Sequence, residues 1–520
     1  MPAIISDQFR ILNAANFVAG VADTSQYYYS FIGLPNSQDI GAGYGQTDWN
    51  TNTPAPMDGF KEYNDAWDTM LGLKQLSSDD VQRMVKKTTW TAGTVYEMYK
   101  NGYTRENQSP KTSSTNLYDA QYYVVNSDLK VYLCINNGQS PDNPQGRQSL
   151  DEPNFVDLEP RAAGTSGDGY IWKYLYTIKP AQIIKFDSID FMPVPNDWGV
   201  GDNTDVKNNA VDGKIETAVI LNSGDGYQPI GTTFNNIPIL GDGTGGKVSV
   251  TVNSQGKVSD VTVTNGGTGY TRGTIQFYPG APGTEIGGPI SGLSVVGGAT
   301  TSVANIEVII PPPGGHGFDI YKELGAFRVL MYSRFENDTS NPDFIVGNDF
   351  ARVGVVKNPK NLAGSNLTKS SAVSLTSLKL KTLSGGNISD VTFNVDSVVS
   401  QAIGVGSTAV GYVANWDSST KILKLYTPTG IGNSAYGFRM VDFTSEIGPL
   451  GAGDVQYKIT GGGGPVVGID TTFGTEGNPA TETAVGTAMV QLGQNFIKGV
   501  AQPEVKKYSG EILYIDNRAA

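Results

Sequence analysis

His316 is the only histidine and Cys134 the only cysteine in a chain of 520 residues. A histidine relay, a histidine-containing metal site or a thiol nucleophile would have to be built on one of these two. Cys134 lies in KVYLCINN, an alternating strand pattern that reads as a buried structural thiol. A lone cysteine also rules out an intrachain disulfide and a cysteine-rich zinc site. His316 lies in PPPGGHGFD, a Pro/Gly hinge that offers no obvious orienting frame.

The glycine-rich turns are the other candidates. GDGTGGKV (Gly241–Val248) has the spacing of a phosphate-binding loop, but Val248 stands where Ser or Thr would reach Mg²⁺. The chain continues as VSVTV, a strand pattern, whereas that loop needs the amides of a helix N-terminus. It reads as a glycine turn. SGDGY occurs at Ser166–Tyr170 and again at Ser223–Tyr227, with a looser GGTGY at Gly266–Tyr270. A calcium β-roll needs tandem nonapeptides, each with an Asp. Here the turns lie far apart, Thr268 replaces the Asp, and no EF-hand loop is present. The 50 acidic residues make some close carboxylate pair inevitable, and no cleft signature singles one out for glycoside cleavage. The expectation is therefore no catalytic residue, no cofactor, no metal site and no enzyme activity.

These residues must be held by something, and composition says by what. The chain is long enough for about three or four domains. Gly 65 and Pro 27 are high, charged residues make up 17%, and Gly, Thr, Ser, Asn and Val alternate in short runs broken by turns. That predicts mainly β structure. The net charge of −13 lacks the basic footprint that nucleic-acid binding requires, argues against an anionic membrane surface, and suits solubility. No apolar run approaches the ~18 residues of a membrane helix, and the N-terminus lacks signal-peptide order. The expectation is a soluble product assembled in a cytoplasm.

Along the chain, Ser6 is a helix N-cap, with Phe9, Leu12 and Ala15 at helical spacing behind it. YYYSFIG (Tyr27–Gly33) reads as a strand, followed by a long loop anchored by Trp49. Residues 60–89 are the best helical candidate. Trp67, Met70 and Leu71 fall at i, i+3 and i+4, and Ser78-Asp79-Asp80 precedes Val81, Met84 and Val85. TVYEMY, QYYVV, KVYLCI and YIWKYLYTI read as strands. In the last, Tyr170, Trp172, Tyr174 and Tyr176 share one face, which needs a large covering surface from a second sheet or a neighbouring subunit.

Composition changes near Asp202. Residues 205–311 are Gly/Thr/Val-rich. VILNSGDGYQP and VTVTNGGTGYTRGT form an imperfect duplication around a predicted hairpin, KVSVTVNSQGKVSDVTV. Tyr227 and Tyr270 are candidate surface-binding residues there, able to stack on sugar rings. PPPGGHG closes the module. Residues 361–500 form a second module of short alternating strands, with a hairpin at WDSSTKILKLY and a loop-like stretch over 459–495. YSGEILYIDNRAA ends the chain as a strand. The architecture expected is a layered antiparallel β-sandwich core with a few short helices (1–204, 312–360 and 501–520), interrupted by two inserted small β modules (205–311 and 361–500).

The aromatic segments carry a resemblance. YYYSFIG, then AWDTMLGLKQLSSDDVQRMVKKTTW with Trp67, Met70, Gly72 and Trp90, then KVYLC, resemble ordered blocks of one family. So does GDGYIWKYLYTIKP with Gly167, Asp168, Gly169, Tyr170, Trp172 and Tyr174, followed by GNDFARVGVVKNPK and by SGEILYIDNR with Asn517 and Arg518. The family is the baseplate wedge protein encoded by gene eight of T-even-type contractile-tailed phages. The blocks span roughly half the chain. The two composition-distinct modules fall where chain has been added, and the family continues for a further short strand beyond Arg518. The resemblance implies a homodimeric structural subunit in the virion's tail baseplate, beside the products of genes six, seven and ten. It would rearrange on tail contraction and carry no catalytic residue, nucleic acid or membrane. The alternative, motivated by Tyr227 and Tyr270, is a receptor- or carbohydrate-binding tail protein.

Overall fold

The computed structural model describes residues 6–33, 63, 66–67, 69–277, 290–296, 302–335, 350, 352–361, 364–381, 392–395, 397–404, 407–418, 421–426, 458–461, 467–469, 505–506 and 508–516. The predicted loop around Trp49, the pair Asn517-Arg518 and most of 427–504 lie outside them. The fold is mainly β, with antiparallel ladders throughout the named sheets and a few helices. The chain forms two compact units. One comprises Met1–Val18 and Gln82–Leu330; the other comprises Ala19–Val81 and Met331–Ala520. The aromatic segments expected as one core are shared between the two units.

The first unit is built on the sheet Tyr123–Val125, Lys130–Asn137 and Tyr170–Thr177, in that order. Bulges in the pairing of the last two strands skip Ile135 and Leu175. Tyr170, Trp172 and Tyr176 are fully buried and Tyr174 half-buried. The chain covers this face itself. Tyr96 meets Trp172 edge-on at 5.9 Å and Tyr170 at 6.4 Å, so no neighbouring subunit is needed to shield it. TVYEMY, expected as a strand, forms none: Thr94 makes one isolated bridge to Ser149, and Tyr96–Tyr99 are buried. Its Glu97 and Tyr99 amides bond singly to Gln121 and Cys134 carbonyls. A second sheet orders Arg328–Met331, Val81–Lys86 and Phe191–Val194.

Within this unit, residues between 215 and 308 form a core of their own. Its hairpin, Lys247–Val252 with Val258–Asn265, is where the alternation placed it. The turn is held by Asn253, whose side chain accepts the amides of Gln255 and Lys257. The strand Ala218–Asn222 serves two cores through its period of two. Val219 packs into the aromatic cluster, while Ala218 and Ile220 pack into the module's cluster.

The second unit contains a five-stranded sheet in the order Ser371–Val373, Met70–Leu76, Tyr28–Gly33, Arg352–Lys357, Glu511–Asp516. It also contains a closed barrel of six strands lying between Thr376 and Ile469. The expected hairpin at Trp416 is two of its staves, Ser407–Asp417 and Ile422–Tyr426. Lys458–Gly461 and Val467–Ile469 are strands where a loop was expected.

The helical expectation for residues 60–89 is corrected. Tyr63, Ala66, Trp67 and Thr69 are helical, but the chain turns to strand at Met70 and, after a short 3₁₀ turn at Ser78–Asp80, to strand again at Val81. Met70, Leu71, Gly72 and Leu73 are buried in succession, as are Val81 through Val85. A run buried on both faces of a sheet has no polar stripe, and its apolar spacing matches a helix by chance. The N-terminal helix Asp7–Ala22 does form. Ser6 Oγ accepts the Phe9 amide at 3.3 Å, but the buried face is Ile11, Ala14 and Val21, and Phe9 and Leu12 are exposed. Among the described residues no helix is long and apolar enough to cross a membrane.

Candidate functional site

The three glycine-tyrosine turns share one geometry. In GDGY at 167–170, GDGY at 224–227 and GTGY at 267–270, both glycines have positive φ. That conformation costs an L side chain about 1–2 kcal/mol. It turns the backbone so that the following tyrosine dives inward. Each tyrosine hydroxyl then accepts one backbone amide and donates to one backbone carbonyl. Tyr170 accepts from Tyr96 (2.8 Å) and donates to Arg147 (2.8 Å). Tyr227 accepts from Ala304 (2.8 Å) and donates to Phe277 (3.4 Å). Tyr270 accepts from Gly246 (3.1 Å) and donates to Ile239 (3.0 Å).

Tyr227 and Tyr270 are therefore not the surface-binding residues expected. They are 0% and 2% exposed, and each hydroxyl ties its own turn to distant backbone.

In the two GDGY turns the Asp carboxylate also accepts backbone amides. Asp168 accepts the amides of Tyr170 and Leu150, and Asp225 accepts that of Ser302. GDGTGGKV is a turn facing the third copy. The Asp242 carboxylate accepts from the Thr271 hydroxyl and the amides of Thr271 and Arg272. Those bonds, the Thr271 hydroxyl first, hold its pKa down to about 2. Strand Lys247–Val252 comes next, as the sequence indicated, so no helix terminus is available for phosphate.

The remaining fingerprint residues are structural and are not gathered into one site. Trp67 and Met70 are fully buried in the second unit with Tyr29 and Leu73, and Gly72 lies opposite Ile32 and Val373 in the sheet. In the first unit Trp90 is half-buried and donates to Ser149 Oγ at 3.0 Å. Trp172 stacks on Tyr170 at 5.2 Å, and the Tyr174 hydroxyl meets Thr177 Oγ1 at 2.9 Å. Cys134 is fully buried, and burial pushes its thiol well above the ordinary range, which suppresses the nucleophilic thiolate.

What the sequence did not show is the seam between the aromatic scaffold and the glycine-rich module. Lys173 Nζ lies 3.1 Å from Glu216 Oε1, with both side chains almost wholly buried. Lys100 Nζ lies 2.7 Å from Glu307 Oε2, and Lys214 Nζ 2.7 Å from Glu159 Oε2. Asn136 Nδ2 donates to Thr217 Oγ1 at 2.9 Å.

His316 also has a frame after all. Its Nδ1 is 2.6 Å from Glu323 Oε1, Tyr99 packs edge-on to the ring at 4.7 Å, and the Gly317 amide donates to Glu323 Oε2 at 2.8 Å. The Pro/Gly segment is thereby strapped to the helix Ile320–Leu324. The pair is a buried latch. Among the described residues no group of three or more His, Cys, Asp or Glu side chains could hold a metal ion.

No protein-family model matches the chain, and no curated protein matches its sequence.

Proposed function

We propose that the chain is a structural subunit of the baseplate wedge of a contractile phage tail. One observation carries the reading. YYYSFIG, MLGLKQL, ARVGVVK and EILYID, recognised separately as blocks of the wedge-protein resemblance, are far apart in sequence. They supply four adjacent strands of one sheet: Tyr28–Gly33 pairs with Met70–Leu76 on one side and Arg352–Lys357 on the other, which in turn pairs with Glu511–Asp516. Blocks matched by chance have no reason to meet. KVYLC and GDGYIWKYLYTI likewise pair with each other in the first unit. The module at 205–311 falls between two of these strands in sequence, as an insertion into a connection does at small thermodynamic cost. The region 361–500 also falls between two of them, but its Ser371–Val373 joins the same sheet beside Met70–Leu76.

On this reading the described fingerprint residues are framework. The subunit works through interfaces, as a homodimer beside the products of genes six, seven and ten. A subunit that moves on contraction must present contacts whose summed free energy differs between the two tail states. Co-expression with those three neighbours tests the role. The chain should co-purify in a wedge complex at fixed stoichiometry. A wedge that assembles without it, leaving this chain free, would overturn the proposal.

A further inference from the structure

We propose that a cleft in the first unit, between Tyr99 and the Pro311–Pro313 strap, binds a neutral saccharide. The cleft has a volume of about 730 Å³, within the ~300–1,000 Å³ of small-ligand sites. Its apolar lining includes Tyr99, Tyr103, Tyr118, Tyr270 and the three prolines.

The Tyr99 hydroxyl singles the cleft out. Tyr99 is only 4% exposed, and its hydroxyl makes no hydrogen bond to any described residue. The other cleft tyrosines all spend theirs on backbone. Tyr103 donates to Met98 (3.2 Å), Tyr118 to Lys322 (2.6 Å) and Tyr270 to Ile239 (3.0 Å). The hydroxyl is not closed off from solvent, so its partner comes from whatever fills the cleft that Tyr99 lines. A ligand hydroxyl entering the cleft would supply the missing partner. Burial first, then the Glu323 charge and Tyr118, push the phenol well above its ordinary range. It stays neutral and can donate and accept at once, as a sugar hydroxyl does.

Charge points the same way. Lys322 Nζ is 3.3 Å from Asp319, and Glu323 is taken by His316 and the Gly317 amide. Asp212 Oδ1 accepts the Gly314 amide at 2.7 Å. Among the described lining residues an anionic ligand finds no unmatched cation. A neutral polyol finds an apolar wall for its C–H faces, the free phenol, and the exposed Asn101 amide at the rim. The inference rests on the cleft alone and not on the wedge reading.

The test is calorimetric titration and saturation-transfer NMR on the full chain. The probes are maltotriose, lactose and chitotriose, with sialyllactose and a proline decamer as the competing chemistries. Saturable binding of at least one neutral sugar is expected, weakened about tenfold in Tyr99→Phe for the loss of one buried hydrogen bond. Because the hydroxyl has no partner among the described residues, Tyr99→Phe should melt no lower than the parent, and Asn101→Ala should also weaken binding. The proposal is overturned if no neutral sugar binds up to ~10 mM. It is equally overturned if Tyr99→Phe binds as tightly as the parent, or if only sialyllactose or the proline peptide binds.

Discussion

The Tyr170 hydroxyl lies 2.8 Å from the Tyr96 amide nitrogen and bridges it to the Arg147 carbonyl, deep in the aromatic core. Tyr227 and Tyr270 repeat the arrangement in the glycine-rich module. Removing the hydroxyl leaves a buried amide and a carbonyl each short of a partner, at about 1–3 kcal/mol. Tyr170→Phe should destabilise the chain by that amount and raise hydrogen exchange at Tyr96. Tyr227→Phe should raise it at Ala304. Unchanged exchange at those amides would show that the hydroxyls hold nothing.

The turn glycines should not be equivalent. At Gly269 an added Cβ meets nothing within 4 Å, so Gly269→Ala should cost only the left-handed backbone term, about 1–2 kcal/mol. At Gly224 the added Cβ would sit 2.6 Å from the Ala304 nitrogen and 2.7 Å from the Tyr227 ring. Gly224→Ala should cost clearly more and loosen the module. Matched thermal melts of the two variants compare them, and equal losses would mean that packing at Gly224 is irrelevant.

The seam pairs should rank by burial. Glu216→Gln strands the Lys173 ammonium in a buried site and should cost about 3–5 kcal/mol. Glu159→Gln removes a pair whose carboxylate is largely exposed and should cost about 0–1 kcal/mol. Limited proteolysis of the module, followed by mass spectrometry, reports both. Similar protection in the two variants would contradict the ranking.

Asp242 provides a pH test. Its folded pKa of about 2 is below the ordinary 3.8. A depressed carboxyl contributes stability that is present above 3.8 and lost as pH falls through about 2. The Asp242 carboxyl should titrate near 2 by NMR, with the Thr271 and Arg272 amides shifting in step. A midpoint near 3.8 would show that these bonds do not form in solution.

How much of this was legible varied with the physics. The hairpin at Ser254-Gln255-Gly256 and the strand YIWKYLYTI were readable because local alternation and turn chemistry decide them. Met70–Leu76 was misread because a strand buried on both faces loses its alternation. The shared glycine-tyrosine device was only half visible. Positive φ is expected of the glycines, but the amide each tyrosine captures comes from a distant segment. The Lys173–Glu216 pair and the His316–Glu323–Tyr99 frame had no sequence signal at all. In the sequence Tyr99 is one more aromatic of a strand-like run, and its hydroxyl's lack of a described partner exists only in three dimensions.

On the proposed function this chain is built into a baseplate wedge. A cryo-electron-microscopy reconstruction of the intact tail tests it most directly. Density fitting the five-stranded sheet of Tyr28–Gly33 and its neighbours is expected in each of six wedges, with two copies per wedge. Density for the chain in a fibre tip, and none in the six-fold baseplate, would contradict it.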